Sequence, residues 1–400
     1  MSKIEQTYLP KRRSWKITSE VVKALAEAAV DKKPVSGWTH NFYRYPARFS
    51  PRFAATAIKC FSRPAEIVLD PYMGGGTSIV EGIAAGRFVV GNDLNTLAAF
   101  ITKVKITVVG AREITAIRRW AASEVPEFKY HHSSDDISEF IDSNKTKNLS
   151  LVKARFIKKA VVAALASIDE LPTENARNFT KCAVLRVGQW ALDGRERHTS
   201  LSDFRHKLAA VTEEMLESIL CFEKHLKRNK TSATLLNMDA SLLDQAPIFQ
   251  TGSRPSLVVT SPPYPGVHVL YHRWQVDGRR ETPAPYWIAG CNDGRGAAFY
   301  NFGDRRETAA DTYFKKSLAT LQAIRRVIRD GGYMVQMLAF NRPEDQLVRY
   351  LENMETAGFA EVQVGGSARI WRQVPHRKWH TALLGATPSS NEVVLVHRAV

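Results

Sequence analysis

An α/β fold with a mostly parallel sheet is what this 400-residue sequence predicts. Residues 66–95 read strand, glycine turn, helix, strand: a βαβ unit, whose strands pair in parallel. Two further apolar runs, Leu257–Thr260 and Tyr333–Leu338, read as strands that return the chain to α/β character. At 44% hydrophobic and 24% charged, the chain can bury a sizeable core, which excludes a disordered or low-complexity scaffold.

Taken in order, the first expected element is a helix from Ser19 to about Asp31, with Val22, Leu25, Ala26 and Ala29 on one face and Pro34 beyond its end. A stretch rich in aromatics and prolines follows, then a short helix reaching Phe61. Ile67-Val68-Leu69 is a strand ending at Asp70, Gly74-Gly75-Gly76 a turn, Thr77–Ala85 a helix stopped by Gly86, and Phe88-Val89-Val90 a strand ending near Asp93. Residues 96–235 read as almost wholly helical, with apolar helical spacing over Leu151–Leu171 and Leu201–Leu226 and a polar loop over 124–150. Strand character returns at Thr234–Leu236 and Leu257–Thr260. Residues 265–310 read as an irregular insertion, 312–329 as an amphipathic helix, Tyr333–Leu338 as a strand and Asp345–Gly358 as a helix. Ala368–Trp371 and Glu392–His397 form an expected antiparallel closing pair.

Composition narrows the function classes. Fifty-six Lys and Arg against 40 Asp and Glu give a net charge of +16, which favours a polyanionic partner such as nucleic acid. No apolar run approaches the roughly 20 residues of a membrane helix, and Met1–Lys16 lacks the apolar core of a secretory signal. The four cysteines, Cys60, Cys182, Cys221 and Cys291, lie far apart with no C-x-x-C, so neither a metal site nor a disulfide framework is expected. The expected setting is reducing and cytoplasmic.

Two constellations carry chemistry. The first is Val68-Leu69-Asp70-Pro71-Tyr72-Met73-Gly74-Gly75-Gly76-Thr77, a buried strand feeding a glycine turn at a helix start. Glycines let a ligand approach the backbone closely, and free N–H groups meet its polar parts. Asp93, 17 residues after Gly76 at the end of the next strand, suits a ribose with both hydroxyls free. The turn does not match G-x-G-x-x-G, which disfavours a nicotinamide cofactor. The second is Thr260-Ser261-Pro262-Pro263-Tyr264, directly after an apolar run. Two prolines remove two backbone donors and leave carbonyl acceptors. Beside Ser261 and the Tyr264 ring, such acceptors suit a planar heterocycle bearing an exocyclic amine.

Together these segments resemble the amino-methylating DNA methyltransferases, which use S-adenosylmethionine. Asp70–Thr77 looks like their cofactor loop and Ser261-Pro262-Pro263-Tyr264 like their catalytic tetrapeptide. Tyr45-Pro46-Ala47-Arg48-Phe49 is similar to the segment covering the methionine part of the cofactor, through Tyr45, Pro46 and Phe49. Asn237-Met238-Asp239-Ala240 is similar to the adenine turn, with Asp239 as acceptor. The resemblance spans about residues 38–100 and 234–400 and implies a Rossmann-like class I methyltransferase fold with a seven-stranded sheet. Residues 1–37 are then a basic helical extension, 101–233 a large helical insertion and candidate target-recognition region, and 265–310 an aromatic and basic loop insertion. Asp70, Pro71, Tyr72, Gly74, Gly75, Gly76, Thr77, Asp93 and Asp239 are the implied cofactor residues. Serine at the first tetrapeptide position is the usual mark of cytosine-N4 enzymes, whereas Asp or Asn marks adenine-N6 enzymes.

The expected reaction is methyl transfer from S-adenosylmethionine to the N4 amine of a cytosine flipped out of double-stranded DNA. Ser261 Oγ and the Pro262 carbonyl are to accept the amine hydrogens, with Tyr264 stacking on the base. Two segments are candidate DNA surfaces. Residues 264–302 hold eight aromatics with interleaved basic residues; Tyr271, Arg273, Trp274, Arg279 and Arg280 are the DNA candidates there, unless the insertion folds around a small aromatic core of its own. Residues 369–380 hold four Lys and Arg and no acid; Arg369, Arg372 and Arg377 are candidates, unless the segment is a solvated hairpin. The rival readings are an adenine-N6 enzyme, an RNA amino-methyltransferase, and a non-catalytic nucleic-acid binder on the same fold. No nuclease motif is apparent, so restriction would reside in a separate restriction endonuclease.

Overall fold

Alternating residues of each strand enter two different cores, which fixes a central sheet with helices on both faces. Val68, Val89, Val335, Met337, Val394 and Val396 face one side, and Leu69, Val90, Met334, Leu338, Val393 and Leu395 the other. The computed structural model describes residues 15–31, 33, 35–46, 50–128, 145–151, 154–195, 199–229, 231–265, 273–278, 280–292, 302, 308–363, 369–373 and 391–400. Its strands are β1 (Trp15–Lys16), β2 (Ile67–Asp70), β3 (Phe88–Asn92), β4 (Ala233–Leu236), β5 (Leu257–Thr260), β6 (Trp274–Val276), β7 (Arg280–Thr282), β8 (Tyr333–Ala339), β9 (Phe359–Gln363), β10 (Ile370–Gln373) and β11 (Asn391–Ala399).

The sheet runs β1-β9-β11-β8-β5-β2-β3-β4, with β10 also paired to β11. Strands β4, β3, β2, β5 and β8 pair in parallel, and β11 enters antiparallel between β8 and β9. The expected seven-stranded, mostly parallel sheet is therefore present. Strands β1 and β10 extend it to nine, with β10 and β11 forming the expected antiparallel pair. The chain leaves β2 towards β3 on one side, while β5 pairs on the other side of β2. That reversal opens a crevice at the C-terminal ends of β2 and β5, where ligands bind in open α/β sheets.

One face carries helices Ser19–Ala29, Pro51–Phe61 and Thr77–Ala84, and the other carries Thr308–Val327 and Pro343–Thr356. The insertion between β3 and β4 is helical as expected, comprising Thr96–Ile106, Ala111–Ser123, Arg155–Ile168, Glu174–Leu192 and Leu201–Asn229. Its buried Ile117, Ile157, Phe179, Val184, Phe204 and Met215 are continuous with the core of the first face. The insertion thus covers the sheet as well as projecting from it.

Part of the aromatic insertion is also core, which corrects one expectation. Strands β6 and β7 form a hairpin, and helix Ala284–Ala289 follows. Trp274 is 1% exposed, its indole N–H donates to Tyr43 Oη at 2.9 Å, and its ring packs on Gly188. It is an anchor between insertions, not a surface for bases. Arg273 and Arg280 stay near the surface, 3.8 Å from Glu281 and Asp277 respectively. Tyr271 and Arg279 lie outside the described residues.

The basic segment is corrected likewise. Arg369 is buried in a two-pronged ion pair with Glu361 at 2.9 and 3.0 Å. Arg372 pairs with Glu392 and donates to Ala29 O at 2.8 Å. Sequence composition marks both as basic but not as inward-facing. Arg377 lies outside the described residues. Replacing Trp274 with alanine should lower unfolding free energy by about 3–5 kcal/mol, the usual loss for a large buried aromatic. Urea titration checks this, and wild-type stability would return Trp274 to the surface.

Candidate active site

Asp70 closes β2 and is buried. Its carboxylate accepts hydrogen bonds from Ser78 Oγ, from Thr260 Oγ1 at 2.8 Å and from the Tyr72 backbone N–H at 3.1 Å. One side chain thereby ties the end of β2 to the end of β5 and to the helix that follows the glycine turn. Burial pushes this carboxyl up to about 6 against the lowering effect of its donors. Asp70 does not line the cavity beyond it, so its place is behind the loop and not against a ligand.

The turn itself needs glycine. Gly74 and Gly76 have φ of 48° and 74°, and a Cβ on Gly75 would lie 2.7 Å from Tyr45 Cβ. From behind, Thr102 Oγ1 donates to Gly74 O at 3.3 Å and the buried Lys105 Nζ to Gly75 O at 2.5 Å. Neither residue was singled out in the sequence, where both read as ordinary positions of helix Thr96–Ile106. Gly76 caps helix Thr77–Ala84 without a side-chain acceptor, so capping leaves that helix start's N–H groups free.

A cleft of about 1120 Å³, its open mouth included, lies beyond the loop. Tyr45, Pro46, Pro71, Tyr72, Gly74, Gly75, Thr77, Asp93, Asp239, Ser261 and Pro263 all line it. Gly76 and Pro262 do not, and Phe49 lies outside the described residues. Asp93 accepts from the Gly74 and Asn95 backbone N–H groups at 2.8 and 2.9 Å. A carboxylate has about four lone-pair sites, so acceptor capacity remains for a diol. Burial pushes Asp93 up to about 6. Asp239 caps the next turn through Ser241.

Two buried amides hold these pieces in register. Asn92 donates to Pro71 O at 3.2 Å and Met238 O at 3.1 Å, joining the loop after β2 to the turn after β4. Asn95 donates to Tyr45 Oη at 3.2 Å and accepts from Tyr286 Oη at 2.9 Å. The sequence signal for both was their place at the mouth of β3, beside Asp93. Phe302 and Lys316 also line the cleft, the former edge-on to Tyr72 at 5.7 Å.

At the tetrapeptide, Ser261 Oγ lies 3.0 Å from Tyr264 Oη and donates to Met337 O at 3.1 Å. Pro263 O accepts from Tyr313 Oη at 2.8 Å. Tyr264, expected to stack on a base, is 7% exposed and does not line the cleft; its hydroxyl donates to Glu392 at 3.1 Å. No group of three or more His, Cys, Asp or Glu that could hold a metal occurs among the described residues, and no described helix is long and apolar enough to cross a membrane.

Residues 4–103 match a family model described as DNA methylase. Type II methyltransferase M.MvaI of Kocuria varians is 26% identical over 249 residues, 56% of this chain and 53% of that protein. Type II methyltransferase M.MjaII of Methanocaldococcus jannaschii is 22% identical over 140 residues, 34% of this chain and 26% of that one. The chain spans about half the length of the first relative and about a quarter of the second. Among solved structures, a putative RNA methyltransferase from Pyrococcus horikoshii is 10% identical, covers 95% of this chain and 97% of its own, and has a TM-score of 0.32. TrmN from Thermus thermophilus is 13% identical, with coverages of 88% and 49% and a TM-score of 0.31. The resemblance carried by the cofactor loop is borne out by the family match, which implies S-adenosylmethionine as methyl donor.

Asp70 and Asp93 make stability depend on pH. The native state keeps their protons up to about pH 6, whereas an unfolded Asp releases its proton near 4. Their contribution is therefore fully present below about pH 4 and is lost as pH rises through about 6. Asp70→Asn should remove about 3 kcal/mol of this fall in stability across the window. Urea titrations of both proteins between pH 4 and 7 measure the difference; parallel curves would refute it.

Proposed function

We propose that this chain, whose residues 4–103 match the DNA methylase family, is an S-adenosylmethionine-dependent DNA methyltransferase acting on the N4 amine of an extruded cytosine. The observation that carries this reading is the common cleft. Ser261, beyond the end of β5, lines the same cavity as Gly74, Gly75, Asp93 and Asp239. A methyl donor on the loop and an amine beside Ser261 would then share one enclosure.

The residues present fit the cofactor. The tight packing of Tyr45 on Gly75 forms a cover that any side chain at 75 would displace. Asp93 offers acceptors for two ribose hydroxyls, and Asp239 an acceptor for the adenine amino group. When bound, S-adenosylmethionine supplies an electrophilic methyl on a positively charged sulfur, which is an excellent leaving group. A cytosine amine is a poor nucleophile because its lone pair is delocalised into the ring. Ser261 Oγ would accept a hydrogen bond from the amine and draw electron density back onto nitrogen as the N–C bond forms and the methyl–sulfur bond breaks, the surplus amine proton then passing to solvent. The remaining acceleration comes from holding amine and methyl in line.

Digesting DNA after incubation with the protein and labelled donor, then separating nucleosides, tests the assignment. Label in N4-methylcytosine is expected. Label in N6-methyladenine would move the target base, label transferred only to RNA would change the substrate, and no transfer would leave a binder.

Two substitutions examine the roles. Asp93→Ala should weaken S-adenosylmethionine binding by about 1.5–3 kcal/mol, the contribution of a hydrogen bond to a charged group. Unchanged affinity by calorimetry, in a folded protein, would remove Asp93 from the ribose. Ser261→Ala should lower turnover more than DNA affinity, because its interaction grows towards the transition state. A variant with normal turnover and lost DNA binding would make Ser261 a docking group.

A further inference from the structure

A chain of hydrogen bonds leaves Ser261 on the side away from the glycine loop and crosses neighbouring strands at the sheet's C-terminal edge. Ser261 follows β5, and its Oγ reaches Met337 O on β8 and Tyr264 Oη. Tyr264 Oη reaches Glu392 Oε1 on β11 at 3.1 Å. Glu392 Oε2 accepts from Arg372 Nε on β10 at 2.6 Å, directly across the antiparallel pair. Arg372 then donates to Ala29 O at the end of helix Ser19–Ala29. Glu392 is 3% exposed and Tyr264 7%. A buried acid beside a tetrapeptide hydroxyl is costly to maintain without a partner, and the half-buried Arg372 guanidinium supplies one.

Counting protons gives the chain a direction. A carboxylate has acceptors only, so the Tyr264 hydrogen lies towards Glu392. The hydrogen on Ser261 then points to Met337 O or to Tyr264 Oη. In either case Ser261 receives no hydrogen from these neighbours, and an acceptor position stays available on the cleft it lines. We propose that Glu392, held by Arg372, is a positioning residue that acts through Tyr264 to keep Ser261 Oγ a hydrogen-bond acceptor for the target amine. The proposal rests on the reading of Ser261 as the amine's acceptor. An amide at 392 has N–H groups that can donate to Tyr264 Oη. The tyrosine hydrogen then turns to Ser261 and fills an acceptor position.

The test is a set of single-turnover methyl-transfer rates on unmethylated genomic DNA, with S-adenosylmethionine affinity by calorimetry and folding by thermal melting. Glu392→Gln should slow the step at least about tenfold, the loss of roughly one hydrogen bond from the transition state, with cofactor affinity unchanged. In the Tyr264→Phe background the same substitution should change nothing, because the hydroxyl that transmits it is gone. Equal slowing in both backgrounds would make Glu392 a structural group and overturn the proposal. A wild-type rate for Glu392→Gln, beside a slow Ser261→Ala, would overturn the proposal and leave Ser261 in place. A wild-type rate for Ser261→Ala would remove the reading on which the proposal rests. Should Glu392→Gln fail to fold, Arg372→Lys keeps the charge and drops the planar fork; it must slow the step in the native background and not with Tyr264→Phe.

Discussion

The buried carboxylate of Asp70 is the constraint on which the site depends. It stands where the sheet changes direction, and its three donors come from the loop after β2, the helix that follows and the end of β5. Removing a carboxylate from water is expensive, and an unpaired one would not persist. Hydroxyl and backbone donors satisfy it without a countercharge. The geometry they enforce brings the glycine loop and the Ser261 tetrapeptide to a single mouth.

Hydrogen-bond donors from neighbouring elements also hold the rest of the enclosure. Thr102 and Lys105 hold loop carbonyls from behind, while Asn92 and Asn95 lace together segments more than a hundred residues apart. Such networks are stiff when every member is satisfied. Ion pairs stand further out: Arg369 with Glu361, and Arg372 with Glu392, brace the last strands of the sheet. These two arginines thus brace the sheet and do not face outward as a basic grip.

Much of this was legible in the sequence where the signal is local. The β2–β3 unit declared itself through apolar runs, a triple glycine and an acid at each strand end, and the strand before Ser261 through continuous hydrophobicity. Where the deciding contact is distant, the sequence was silent. Trp274 and Arg369 read as surface groups because composition carries no information on which way a side chain points. Glu392 gave no signal, since only the antiparallel entry of β11 brings it to the tetrapeptide. Strands β1 and β9 were missed because two to five residues with ambiguous patterning do not outweigh their flanks.

The helical insertion bears on how the molecule acquires its fold. Val89 of β3 bonds in register with Ala233 of β4, so neighbours in the sheet are separated by the entire insertion. Closing so long a loop adds little free energy, because the entropic term grows only with the logarithm of its length. It does delay the event, since distant pairings form late. Helices Glu174–Leu192 and Leu201–Asn229 assemble through contacts near in sequence and can form before that closure. Once Leu201–Asn229 packs against helix Thr77–Ala84, it delivers β4 to the open edge of β3. The adenine turn at Asp239 would then be among the last parts of the cleft to be set, and among the first to open when the edge frays.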